Sequence, residues 1–156
     1  MTPKNKLAKP SDLKTHIGFW LRFVSNHVSQ AFARKLLLSG VTVAEWVILR
    51  EMFHRDGTAP SDLATLTGLT RGAVSKLVDR LIAKDLIART YAEDDRRYQS
   101  LALTATGNKL VPKLAAIADE NDKAFFDILS KKERAKLRDT LTKLVEAHNL
   151  TTVPIE

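Results

Sequence analysis

The side chains best equipped for chemistry are Thr70, Arg71, Gly72, Ser75, Lys76 and Arg80, inside the stretch PSDLATLTGLTRGAVSKLVDR, and the pair Arg96 and Arg97 in AEDDRRY. Guanidinium, ammonium and hydroxyl donors on successive turns of one helix face are the groups that meet phosphate oxygens and base edges in a major groove. An arginine at a loop tip fits the narrow, electronegative minor groove beside it. The chemistry on offer is recognition of a polyanion. Bond-making is not expected, because there is no phosphate-binding glycine loop, no nucleophile with a recognisable base and no metal-ligand cluster. Each group also has a plainer role: a solvated helix face for the first set, and for the second a local pairing with Asp94 and Asp95, worth little at a surface.

The spacing around these residues predicts what holds them. Ala64, Gly68, Val74 and Leu77 fit the helix-turn-helix pattern A-x3-G-x5-V-x2-L, with a small residue where two helices cross and a glycine where the chain leaves the first. Val74, Leu77, Val78, Leu81 and Ile82 recur at helical spacing, so the second helix buries one face and turns Arg71, Gly72, Ser75, Lys76, Asp79 and Arg80 outward. Thr70 is placed as its N-cap, with Leu69 and Val74 as a hydrophobic staple. The period then becomes alternating: LIARTY (86–91) and QSLALT (99–104) read as a hairpin with Arg96 and Arg97 at its tip.

The chain has 156 residues, one domain's worth, and no cysteine, which excludes disulfides, cysteine-ligated zinc and thiol-based oxidation sensing by this chain. Its net charge is +7, of which residues 1–54, with 8 basic and 3 acidic side chains, carry most. A basic chain leans toward a polyanionic partner, although the proposed reading helix and hairpin are only mildly positive. With no apolar run long enough to span a bilayer and no signal-peptide core, a soluble cytoplasmic protein is expected. Metal binding is not expected: His16 and His27 lie about three helical turns apart, and His54 and His148 have no ligand partner nearby in sequence. No cofactor is implied.

Residues 1–10 read as a loose arm, and Ser11 as the N-cap of a helix from Leu13 to about Leu38. That helix is apolar on two sides, one stripe being Ile17, Leu21, Val24, Val28 and Ala31 and the other His16, Trp20, Phe23 and His27. The second stripe, with Trp46 and Arg50, either lines a cavity for an aromatic ligand or is core or subunit interface. Gly18 marks close packing or a tolerated weakness. Thr42 and Glu45 form a capping box opening a helix to about His54; Thr104 caps a helix to about Leu129, with a kink or late start at Pro112; Ser130 and Glu133 cap a last helix carrying Leu137, Leu141, Leu144 and Val145. The end, TTVPIE, reads as untethered. A winged unit of residues 42–104 makes its own core, so the helices at 11–38 and 105–148 have apolar faces to spare, and a second copy of the chain is the simplest cover.

The sequence resembles the MarR family of bacterial transcription regulators. The match rests on the helix-turn-helix and on DRRYQSLALTATG, which fits D-x-R-x3-L-x-L-T-x2-G through Asp95, Arg97, Leu101, Leu103, Thr104 and Gly107. It extends over about residues 11–148. The resemblance implies a mainly α fold with a small β-hairpin wing, a winged helix-turn-helix flanked by N- and C-terminal dimerisation helices, with flexible ends at 1–10 and 149–156. It implies a homodimer on a palindromic operator, usually a repressor, and in many members release from DNA by a small, often aromatic, effector. By motif position Arg97 is the minor-groove arginine, Asp95 steadies the wing, and Arg71, Ser75, Lys76 and Arg80 face the major groove. The competing expectation is a winged-helix protein-interaction module, which would lack salt-sensitive affinity for duplex DNA.

Overall fold

The computed structural model describes residues 9–55, 57–91 and 99–155. In chain order it contains a 3-10 turn at Leu13–Thr15, α1 (Ile17–Leu37), α2 (Val43–Met52), α3 (Pro60–Thr67), α4 (Arg71–Ala83), β1 (Ile87–Tyr91), β2 (Gln99–Leu103), α5 (Ala105–Phe126) and α6 (Lys131–Ala147). The fold is mainly helical, and β1 and β2 pair antiparallel in the register Ile87 to Leu103 through Tyr91 to Gln99. Thr58 adds a one-residue bridge to Leu101. This ties the loop before α3 to the hairpin. Among the described residues no helix is long and apolar enough to cross a membrane.

The core sits where α2, α3 and α4 meet the hairpin and the first half of α5. Ile48, Leu49 and Met52 of α2, Leu63 of α3, Val74, Leu77, Val78 and Leu81 of α4, Ile87 and Leu101 of the hairpin, and Val111 and Leu114 of α5 are all buried. The expected apolar face of α4 is therefore buried, except that Ile82 is only partly covered. The capping box of Thr42 and Glu45 and that of Ser130 and Glu133 both form.

Several expectations need correction. The first helix does not run from Leu13 with Ser11 as its cap. Asp12 accepts from the Lys14 N–H at 3.0 Å, Ser11 instead contacts His16 Nε2 at 3.2 Å, and the extended backbone of His16 divides the 3-10 turn from α1. Helix α2 stops at Met52, and His54 turns left-handed with φ 70°. Of the two outcomes expected at Pro112, a kink or a late start, the late start does not occur: α5 begins at Ala105 and continues past the proline to Phe126. The proline's missing N–H costs one helical hydrogen bond, and its exposed ring needs no room in the core. Of the two readings of Gly18, close packing is not found among the described residues, where a Cβ would meet nothing within 4 Å, which leaves the tolerated weakness. The C-terminal tail, expected to be free, is held: Val153 N–H donates to the Thr67 carbonyl at 2.8 Å.

The two ends of the molecule are built differently from its centre. α1 crosses α5 at a polar knot, where buried Asn121 accepts from Lys35 Nζ at 3.0 Å and donates to the Val28 carbonyl at 3.3 Å. Beyond that crossing the apolar side chains of α1 face outward, Ile17 being 83% and Phe23 67% exposed. No residue of α6 is buried. An open groove of about 740 Å³ separates α6 from the end of α5, lined by Phe126, Leu137, Leu141 and Val145 among others.

Candidate nucleic-acid interface

The recognition surface begins with the turn between α3 and α4. Gly68 closes α3 in the left-handed region with φ 67°, a conformation that costs other residues strain. Two residues on, Thr70 is extended and its hydroxyl accepts from the Ala73 N–H at 3.2 Å, so α4 begins at Arg71 with one of its unpaired N–H groups satisfied by the cap. Because Val74, Leu77, Val78 and Leu81 are anchored in the core, the helix cannot rotate, and Thr70, Arg71, Gly72, Ser75, Lys76, Asp79 and Arg80 are all exposed. Every described residue proposed for DNA contact thus shares one outward surface. A Cβ at Gly72 would meet nothing within 4 Å, so no neighbour among the described residues requires a glycine there.

A strut not expected from the sequence fixes the hairpin beside this helix. Arg89 Nη2 of β1 donates to Asp79 Oδ1 of α4 at 2.9 Å. Alternation along β1 sets Arg89 on the same side as buried Ile87, and a charge on that side needs a partner; that parity was the available signal. The Tyr91 side chain first, and Asp79 with it, hold the Arg89 guanidinium above the ordinary arginine value against partial burial. The hairpin and the outer face of α4 therefore lie on one side of the molecule. Asp95, Arg96 and Arg97 fall outside the described residues.

The motif around the hairpin is partly a joint. Leu101 is fully buried, and the Thr104 hydroxyl both donates to the Asp85 carbonyl at 2.6 Å and accepts from the Gly107 N–H at 3.0 Å, pinning β2 and α5 to the end of α4. A Cβ at Gly107 would collide with the Leu86 carbonyl. A second joint lies at the same end of α4, at its C-cap Lys84. Lys84 Nζ donates to Glu45 Oε2 and Oε1 at 2.7 and 2.8 Å and to the Gly40 carbonyl at 2.8 Å. Glu45 is 1% exposed. Burial pushes its carboxyl upward, but hydrogen bonds from Lys84 and Thr42 and the Lys84 charge outweigh that and hold it below the ordinary glutamate value.

The six residues considered for an effector site differ in how far they are covered. His16, Trp20, Phe23, His27 and Arg50 are exposed and Trp46 is half-buried against the core. The Trp20 indole donates to the Lys14 carbonyl at 2.9 Å, and the His27 ring lies 5.7 Å from Phe125 on α5. Neither the groove beside α6 nor a smaller one at Arg55, Thr58 and Asp62 is lined by any of the six.

A core-anchored helix offering basic and hydroxyl side chains, preceded by a capped tight turn and buttressed by a hairpin, defines a winged helix-turn-helix of the kind that binds DNA. Residues 39–97 match the model of the MarR family. Among curated proteins the chain is 30% identical over 129 residues, 82% of its length and 78% of the relative's, to a putative transcriptional regulatory protein for the hcr operon of Thauera aromatica. It superposes on MepR of S. aureus, solved as a DNA complex, with TM-score 0.75 and 28% identity, covering 85% of this chain and 98% of that one. CouR of Rhodococcus jostii RHA1, solved with p-coumaroyl-CoA, gives TM-score 0.72 and 27% identity, covering 86% and 95%. The chain belongs to the MarR family of DNA-binding transcriptional regulators.

Proposed function

We propose that this protein is a homodimeric repressor of a pseudo-palindromic operator. Two copies of α4 enter successive major grooves about one turn, roughly 34 Å, apart, with Arg71, Ser75, Lys76 and Arg80 at the bases and phosphates. Arg96 and Arg97 reach the flanking minor grooves from wings steadied by Asp95. The observation that carries this is the exposed face of α4 held beside the hairpin by the Asp79–Arg89 pair. Dimerisation is supported by the outward apolar faces of α1 and α6, which a second copy would bury. The working compartment is the cytoplasm, where the DNA is. A small aromatic effector held by His16, Trp20, Phe23, His27, Trp46 and Arg50 releases the operator; that CouR holds an aromatic acyl thioester supports the ligand class.

Selection from a random duplex library tests the core of the proposal. The expected product is a two-fold symmetric site whose binding constant falls steeply with salt. An asymmetric site would remove the dimer geometry, and no enrichment would favour a protein-interaction module. Quenching of tryptophan fluorescence by p-coumaroyl-CoA, together with its release of the selected duplex, tests the effector; neither response would discard that ligand class.

A further inference from the structure

The residues after α6 return to the helix-turn-helix. Asn149 sits in the left-handed region with φ 50° and the Leu150 N–H donates back to the Val145 carbonyl at 3.0 Å, a closing turn that reverses the chain. Pro154 then favours extended backbone at Val153. Val153 N–H meets the Thr67 carbonyl at 2.8 Å, and the Thr152 hydroxyl makes a longer contact, 3.4 Å, to the Gly68 carbonyl. These are carbonyls at the end of α3 that the helix itself leaves without donors. The fit is close: a Cβ at Gly68 would stand 2.7 Å from the Thr151 oxygen and 2.8 Å from Thr152 Cα.

We propose that residues 151–153 are a positioning strap for the recognition helix. They hold the turn that sets the direction of α4, and they join it to α6, a helix with no buried residue of its own and with an apolar face suited to a second copy. Movement of α6 in the dimer then pulls on the turn in front of Thr70. This inference rests on the DNA-binding and dimer assignments above, so its test includes a measurement that involves no DNA.

Hydrogen exchange is compared between the full chain and a chain ending at Leu150. Exchange across residues 67–73 is expected at least tenfold faster in the shortened chain, with β1 and β2 unchanged; equal exchange overturns the strap. Gly68→Ala is then placed in both chains. Its left-handed strain is common to both, whereas the clash with the tail exists only in the full chain, so its destabilisation should be several-fold smaller after shortening. Equal destabilisation overturns the contact. Finally, on the duplex that the full chain enriches from a random library, the shortened chain should bind five- to tenfold more weakly while light scattering still reports the same assembly. Equal binding removes the positioning role, and tighter binding replaces it with a covering one. If the full chain enriches no duplex, the proposed function fails, and the exchange comparison alone decides the strap.

Discussion

The winged unit and the terminal helices treat their apolar residues in opposite ways. Between Val41 and Leu103 the large aliphatic side chains go inward with the exception of Leu66, and even a carboxylate, Glu45, is buried against the Lys84 ammonium. Along α1 and α6 residues of the same types stay uncovered, among them Trp20, Phe23, Leu141 and Leu144. Burial stabilises by about 25 cal/mol per Å² of apolar surface, so the first region holds most of its available stabilisation within one chain and the second leaves it unrealised. The contrast teaches that the chain completes one region by itself and leaves the other uncovered. On the proposed reading, DNA meets the first and a second copy of the chain covers the second.

The strongest way to break this comparison is to charge the uncovered surface. Leu137→Asp with Leu141→Asp would place two carboxylates per chain in the proposed subunit contact, each costing on the order of several kcal/mol to desolvate. Light scattering is expected to report monomers or aggregates in place of dimers. Because neither residue contributes to the winged core, hydrogen exchange there should survive in any soluble monomer. A dimer that still binds DNA would show that the ends were never the interface.

A change at Lys84 tests the other half. Lys84→Met leaves Glu45 buried without its cation, and the usual 3–5 kcal/mol for such a loss falls to about 1–3 kcal/mol because Lys84 is partly exposed. Urea unfolding of the winged unit measures it. The sign with pH follows from the depressed carboxyl. Its stabilisation is fully present above the ordinary glutamate value and is lost as pH falls through the lower folded value. The stability gap between Lys84→Met and the parent should therefore narrow in acid, and a gap constant with pH would deny the pair its role.

What could be read from the sequence divides along a similar line. The buried stripe of α4, the caps Thr70, Thr104 and Ser130, and the alternation of the hairpin are patterns confined to a few neighbouring residues, and each forms. The pairing of Glu45 with Lys84 spans 39 residues and the contact of Thr152 with Gly68 spans 84, and no local pattern announces either. Glu45 was legible as a cap but not as a buried ion, since only the packing of α2 against α4 removes it from water. The division of α1 at His16 was missed for the reverse reason: Ser11 and Asp12 are both good caps, and which one wins depends on where the 3-10 turn closes.

Arg97→Ala sharpens the contrast by leaving both protein surfaces alone. A minor-groove arginine lost from the wing should weaken binding to the selected duplex by roughly 1–3 kcal/mol, reduce the salt slope by about one, and leave the dimer and the unfolding midpoint unchanged. Unchanged affinity in a gel-shift titration would take the wing out of the mechanism.

Gly72→Ala is the smallest expected effect and separates the demands of fold and DNA at one position. Glycine inside a helix costs up to about 1 kcal/mol relative to alanine, and the added methyl would meet nothing within 4 Å among the described residues. The isolated protein should therefore gain about 0.5–1 kcal/mol in urea unfolding, the lower figure applying because Gly72 is only the second residue of α4. If the first turn of α4 lies against bases or phosphates, that same methyl stands in the contact and binding should fall several-fold. A gain in stability with undiminished affinity would mean that the helix approaches DNA at Ser75 to Arg80, not through its first turn, and that the glycine at 72 serves neither the fold nor the groove.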